Sequence, residues 1–304
     1  MTQSTLDRPR PAMPTIGATI ELLKPITWFA PMWAFGCGIV SSGAAVGDRW
    51  AYVAGGILLA GPLICGTSQA VNDWYDREVD AINEPNRVIP SGRMPGTWGF
   101  SIAVANTLLS LVVAYWLGPW VFGAAIVGLA IAWAYSAPPF RLKRSGWWGP
   151  GAVGLCYEGL PWFTAAAAAL GAFPGAEIVL IALLYSVGAH GIMTLNDFKS
   201  VEGDRQTGLA SLPATLGVDK AARLACLIMG VPQLFVIFFL LAWGHPIHAL
   251  IVLELLIGQV FCMRRLLRDP LKFTAWYNAT GTTMFVLGML ASAFAIRAMQ
   301  GAAA

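Results

Sequence analysis

Asn72, Asp73, Asp76 and Asp80 stand at spacings that place them together if the chain there is helical. They belong to the stretch NDWYDREVDAINEPNRVIPSG, residues 72–92, which also holds Glu78 and Glu84. On a helix the steps of four put Asn72, Asp76 and Asp80 on one face, with Asp73 three residues before Asp76 on the same side. Three carboxylates so arranged repel one another unless a cation lies between them. The hard, oxygen-seeking choice is Mg²⁺, which binds one or two carboxylates and fills its octahedron with water and phosphate oxygens. Asn72 adds a neutral oxygen or orients a bound water.

A second polar stretch, NDFKSVEGDRQTGLASLP, spans residues 196–213. An offset of 124 aligns Asn72 with Asn196, Asp73 with Asp197, Trp74 with Phe198 and Asp80 with Asp204; Ser200 falls where the first stretch has Asp76. The repetition predicts the same geometry, with Asn196, Asp197, Glu202 and Asp204 as further metal ligands. Two acidic helix ends facing across a cavity suit Mg²⁺ bridging to a diphosphate. Arg77, Arg87, Lys143, Lys199 and Arg205 fit the anion as charge-assisted donors.

The elements that must position these residues are apolar. The chain is 57% hydrophobic and 12% charged, and its 13 Trp suit side chains anchored at membrane interfaces. Apolar windows long enough to span a bilayer centre on residues 25–43, 52–71, 99–117, 120–137, 150–170, 177–195, 222–243, 247–263 and 274–296. The fifth is the weakest, because Glu158, Gly159 and Pro161 lie inside it. The expectation is an all-α integral membrane protein of about nine spans, a single polytopic domain over 1–304. Residues 1–14 are expected to be a flexible N-terminus, and the two pseudo-repeat halves carry Asp-rich segments at 72–92 and 196–213.

The N-terminus and the loops after spans two, four, six and eight hold 17 of the 19 basic residues, leaving Arg49 and Arg297 on the other side. The positive-inside rule then makes the N-terminus and both Asp segments cytoplasmic. Cys37, Cys65, Cys156, Cys226 and Cys262 lie in apolar stretches without C-x-x-C spacing and read as reduced thiols. The polar, Pro-rich N-terminus resembles neither a secretory signal nor a transit peptide, which favours a bacterial protein of the inner, intracytoplasmic membrane. Nothing in the sequence suggests nucleic acid as a partner.

NDWYDREVD followed by NEPNRVIPSG, and later NDFKSVEGD, resembles the UbiA superfamily of intramembrane prenyltransferases. Its first motif, N-D-x-x-D-x-x-x-D, is complete here. The second departs in Ser200 and Lys199, and Val88 stands where Pro is frequent. NDWYDREVDAINEPNR, YSAPPFRLKRSGWWG, YEGLPW and NDFKSVEGDRQTGLASLP together resemble the chlorophyll and bacteriochlorophyll synthase branch, from about residue 15 to the C-terminus.

The resemblance implies a nine-span helical bundle and Mg²⁺-dependent transfer of a C20 group, geranylgeranyl or phytyl, from its diphosphate to the C17 propionate of bacteriochlorophyllide. It assigns Asp73, Asp76, Asp80, Asp197 and Asp204 to catalysis and places Tyr135 and Lys143 near the diphosphate. Pigment-biosynthesis or photosystem-assembly proteins are conceivable partners. A carboxylate acceptor is already ionised at neutral pH, so no general base is required. Candidates for the acceptor pocket are Trp74, Tyr157, Glu158, Trp162 and His190. His190 is seven residues before Asp197 and so on the same helical face, where it ligates the pigment's Mg²⁺, contacts the diphosphate or is a hydrogen-bonded core residue. Two other readings compete: a UbiA enzyme acting on a quinone precursor or haem, and a membrane carrier. The position of the Asp segments at helix ends disfavours the carrier.

Overall fold

The computed structural model describes residues 13–302. The expected flexible N-terminus therefore lies, but for its last two residues, outside the described residues, as do Arg8 and Arg10. Among the described residues the chain is helical, with no strand and one isolated bridge between Ser145 and Ala210. The α-helices are α1 (Ile16–Leu23), α2 (Phe29–Ser42), α3 (Trp50–Leu58), α4 (Gly66–Asn83), α5 (Trp98–Leu117), α6 (Pro119–Ser136), α7 (Trp148–Gly154), α8 (Leu160–Leu170), α9 (Ala176–Asn196), α10 (Val201–Thr207), α11 (Leu212–Leu216), α12 (Val218–Ala242), α13 (Pro246–Leu266) and α14 (Pro270–Ala302).

Seven helical stretches are long and apolar enough to cross a membrane: Trp50–Asn83, α5, α6, Ala176–Lys199, α12, α13 and Pro270–Gln300. The windows at 25–43 and 150–170 are helical but broken. The first holds the 14-residue α2 behind a 3-10 turn, and the second is split into α7, the π-helical turn Leu155–Gly159 and α8. A second π-helical stretch, Leu59–Cys65, joins α3 to α4 around Pro62. Proline has no N–H for the ladder and collides with the preceding turn, so the backbone widens there.

The helices are apolar outside and mixed inside, as lipid requires. On α12 the exposed face carries Leu227, Val231, Leu234, Phe235, Phe238 and Leu241. Its buried face carries Ala221, Ala225, Met229 and Gln233. Gln233 exchanges two amide hydrogen bonds, at 3.1 and 2.9 Å, with Gln259 of α13, and both residues are fully buried. In a medium without water such pairs hold helices together. The largest core cluster joins α2, α8, α9, α12, α13 and α14 around Trp162, Tyr185 and Phe285.

Close helix contacts use glycine. A Cβ added at Gly38 of α2 would collide with the backbone carbonyl of Trp162 and the side chain of Ala165 on α8. Backbone cannot yield as a flexible side chain can, so Gly38→Ala is expected to destabilise the chain by about 1–3 kcal/mol. A thermal unfolding midpoint in detergent that did not fall would contradict this packing.

Candidate active site

Helix α4 runs unbroken through the first motif, so the helical spacing of Asn72, Asp73, Asp76 and Asp80 is realised. Each carboxylate has a cationic partner from a different part of the chain. Lys24 Nζ donates to Asp73 Oδ1 at 2.6 Å, and Asp73 is only 2% exposed. Arg87 Nη1 donates to Asp80 Oδ2 at 2.8 Å and to Asp73 Oδ1 at 3.4 Å. Lys143 Nζ donates to both oxygens of Asp76 at 2.5 Å. Asn72 Nδ2 donates to Asp76 Oδ2 at 3.0 Å and to Ser136 Oγ at 3.2 Å.

Loops bring these cations in. Lys24 caps α1 in the left-handed region, at φ 47°, an uncommon conformation for a residue with a Cβ. Arg93 forks onto Glu21 of α1 at 2.5 and 2.7 Å and also donates to the Asn86 carbonyl at 2.7 Å, which fastens the loop carrying Arg87. The hydrogen bond from Arg93 holds the Glu21 carboxyl below its ordinary pKa. Its contribution is therefore complete at neutral pH and is lost as pH falls through that lowered value. The turn carrying Lys143 is pinned to the second Asp segment: Gly146 N donates to the Ala210 carbonyl at 2.8 Å and Ala210 N to the Arg144 carbonyl at 3.0 Å.

The second segment does not repeat the geometry of the first. Helix α9 stops at Asn196, a 3-10 turn covers Asp197–Lys199, and α10 starts at Val201. The break falls at Ser200, whose hydroxyl donates to the Asp197 carbonyl at 3.2 Å, a local bond that competes with the helix ladder. Asp204 turns back into its own loop, accepting from Ser211 Oγ at 2.5 Å and Ser200 Oγ at 3.4 Å. Glu202 is exposed and accepts from Gln206, while Lys199 and Arg205 are exposed too. Asp197 is half-buried, and among the described residues no hydrogen bond or ion pair holds its carboxylate. Of the second set, Asn196 lines the cavity described next.

A cavity of about 520 Å³ lies between the two segments, within the usual range for small-molecule sites. Asn72, Tyr135 and Asn196 line it next to the two motifs. Both π-helical stretches open onto it, through Ala60, Ile64 and Cys65 from the first and Cys156, Tyr157 and Glu158 from the second. Tyr157 OH accepts from Gln69 Nε2 at 3.1 Å.

The other pocket candidates lie elsewhere. Trp74 stacks beneath Arg77 at 4.5 Å and against Phe100, so Arg77 faces that ring and Glu78 and not the other carboxylates. Trp162 is fully buried and donates to Ser41 Oγ at 2.9 Å. His190 turns to the Trp147 carbonyl (Nε2, 3.2 Å) and Thr194 (Nδ1, 3.4 Å), hydrogen-bonded within the helix core and absent from the cavity lining, while Asp197 lies past the end of α9. Sequence reasoning missed Lys24, counted only for topology, as well as Gln69, Ser136 and Thr282. Their one signal is polarity inside or beside apolar spans.

Among the described residues no three His, Cys, Asp or Glu side chains converge on a ready-made metal cage. The donors present still suit Mg²⁺, which takes one or two carboxylates and draws its other ligands from water and phosphate. Asp73, Asp76 and Asp80, here paired with Lys24, Lys143 and Arg87, are the carboxylates that could hold it, and the three cations could take up phosphate oxygens.

The chain is 58% identical over 289 residues to the bacteriochlorophyll synthase 33 kDa chain of Cereibacter sphaeroides, covering 95% of this chain and 96% of that one. It is 40% identical to the chloroplastic chlorophyll synthase of Oryza sativa subsp. japonica, covering 91% and 76%. The fold matches the solved structure of a UbiA homologue from Archaeoglobus fulgidus bound to DMAPP and Mg²⁺, with a TM-score of 0.72 and 18% identity over 92% of this chain and 99% of that one. Residues 29–288 match the UbiA prenyltransferase family. With its acidic helix end, its cationic loops and its apolar cavity, the chain belongs to the UbiA prenyltransferase family.

Proposed function

We propose that this chain esterifies the C17 propionate of bacteriochlorophyllide with a C20 prenyl group, geranylgeranyl or phytyl, taken from its diphosphate. The observation that carries the reading is the α4 carboxylate face, paired with Lys24, Arg87 and Lys143, beside an apolar cavity. Identity to the bacteriochlorophyll synthase chain of C. sphaeroides supports the acceptor. One polytopic domain whose halves each give one segment, with the N-terminus and both segments on the cytoplasmic face of a bacterial inner membrane, fits the distribution of Lys and Arg.

In this reading Asn72, Asp73, Asp76 and Asp80 hold Mg²⁺ from one side and Asp197 from the other. Mg²⁺ bound there would offset the negative charge that grows on the leaving diphosphate. Lys143, Arg87 and Lys24 exchange their carboxylate partners for phosphate oxygens and add to the same stabilisation. The allylic carbon–oxygen bond breaks with its electron pair going to the diphosphate, and a propionate oxygen forms the new bond to that carbon. The propionate is ionised at neutral pH, so the chain has no proton to remove. Ile64, Ile131, Ala132 and the aromatic faces of Tyr135 and Tyr157 keep water from the cationic carbon.

The test uses membranes from a host that makes no chlorophylls, supplied with bacteriochlorophyllide, geranylgeranyl diphosphate and Mg²⁺. Esterified pigment with release of one diphosphate per ester is expected. Prenyl transfer to a phenolic acceptor, with no pigment ester, would overturn the acceptor.

A further inference from the structure

The cavity holds one ionisable carboxyl side chain that the reaction above does not use. Glu158 lies in the π-helical turn, is 5% exposed and lines the cavity, and its Oε2 has no hydrogen-bond partner among the described residues. The hydroxyl of Thr282, on α14, lines the same cavity and also lacks a partner. A carboxylate buried without a partner is costly, and a site built to bind keeps such a group for its ligand. Among the described residues lining the cavity there is no Lys, Arg or His, so no neighbour there neutralises it. Cys156, Tyr157 and Glu158, three successive residues of the π turn, all line the cavity.

A ligand that satisfies Glu158 must bring a cationic centre or a donor into an apolar space. A tetrapyrrole with a central Mg²⁺ does this. Its ring is an apolar plate, and its hard metal has an open axial position suited to a carboxylate oxygen. His190, the other side chain able to ligate such a metal, points away from the cavity with both nitrogens engaged. We infer that Glu158 grips the acceptor by ligating the central Mg²⁺ of the tetrapyrrole ring, so that the chain selects the metallated pigment over its metal-free form. The inference rests on the proposed acceptor being such a pigment.

The purified full-length chain in detergent is titrated with bacteriochlorophyllide and with the same ring lacking Mg²⁺, following the pigment absorption bands. The parent is expected to bind the Mg²⁺ form about tenfold or more tightly than the metal-free form. Glu158→Leu is expected to bring that ratio close to one, mainly through weaker binding of the Mg²⁺ form. Glu158→Gln, nearly the same in shape, keeps a weaker oxygen ligand and is expected between the two; it decides the matter if the leucine variant does not fold. A ratio unchanged in the variants, or a parent that binds both forms equally, overturns the inference while leaving the acceptor intact. A parent that binds neither form overturns the acceptor and the inference together.

Discussion

Asp73→Asn is expected to lower kcat for prenyl transfer about 10²- to 10³-fold, the usual cost of removing one preorganised charge from a site that stabilises a leaving anion. Asp73 is the most buried carboxylate of the α4 face and the one that two cations address, Lys24 at 2.6 Å and Arg87 at 3.4 Å. Asparagine keeps the shape and one accepting oxygen but removes the charge, so the loss falls on chemistry and not on folding. Breaking a fully buried ion pair costs about 3–5 kcal/mol. Here the Lys24 and Arg87 side chains are 24% and 33% exposed and reach water, so a stability loss near ~1 kcal/mol is expected instead. Membrane levels and thermal midpoint close to the parent's, with turnover nearly abolished, are the expected pair of results. Turnover within about threefold of the parent would remove Asp73 from the catalytic site.

Lys143→Met is expected to lower kcat/KM about ten- to a hundredfold. Lys143 bonds both oxygens of Asp76, and its turn is fastened to the second Asp segment through Gly146 and Ala210. It thus stands where a diphosphate held by the α4 face would meet the other half of the chain. Its partner in the resting state is Asp76; with substrate present, its charge turns to a phosphate oxygen that becomes more negative as the bond breaks. That gain is larger in the transition state than in the bound substrate, so kcat falls along with affinity. Lys143→Arg preserves the charge but not the compact ammonium, and is expected to retain more activity than Lys143→Met. Steady-state kinetics over a range of prenyl diphosphate concentrations distinguish this from a structural role, which would leave both parameters per folded molecule unchanged.

The first motif was legible because a helix spaces residues regularly: once α4 continues through residue 83, the positions of Asn72, Asp73, Asp76 and Asp80 follow. The second was not. Its alignment with the first concealed the local bonds of Ser200 and Ser211, which end α9 and fold Asp204 back on its own loop. The weakness of the window at 150–170 was visible in Gly159 and Pro161. That its break is a π turn delivering Tyr157 and Glu158 to the cavity depends on packing against α9, where a Cβ at Gly154 would strike the Ser186 carbonyl. Trp162 reads from sequence as a pocket aromatic, yet its indole meets Ser41, a partner 121 residues away. Lys24 escaped for a similar reason, since its link to Asp73 spans 49 residues and needs a left-handed turn before Pro25.

Binding of a non-reacting geranylgeranyl diphosphate analogue to the purified chain, with and without Mg²⁺, tests most directly the claim that the α4 carboxylates and their cations form the diphosphate site. Binding is predicted to require Mg²⁺ and to weaken in Asp73→Asn and in Lys143→Met. Equal binding with and without Mg²⁺, or full Mg²⁺-dependent binding in Asp73→Asn, would contradict it.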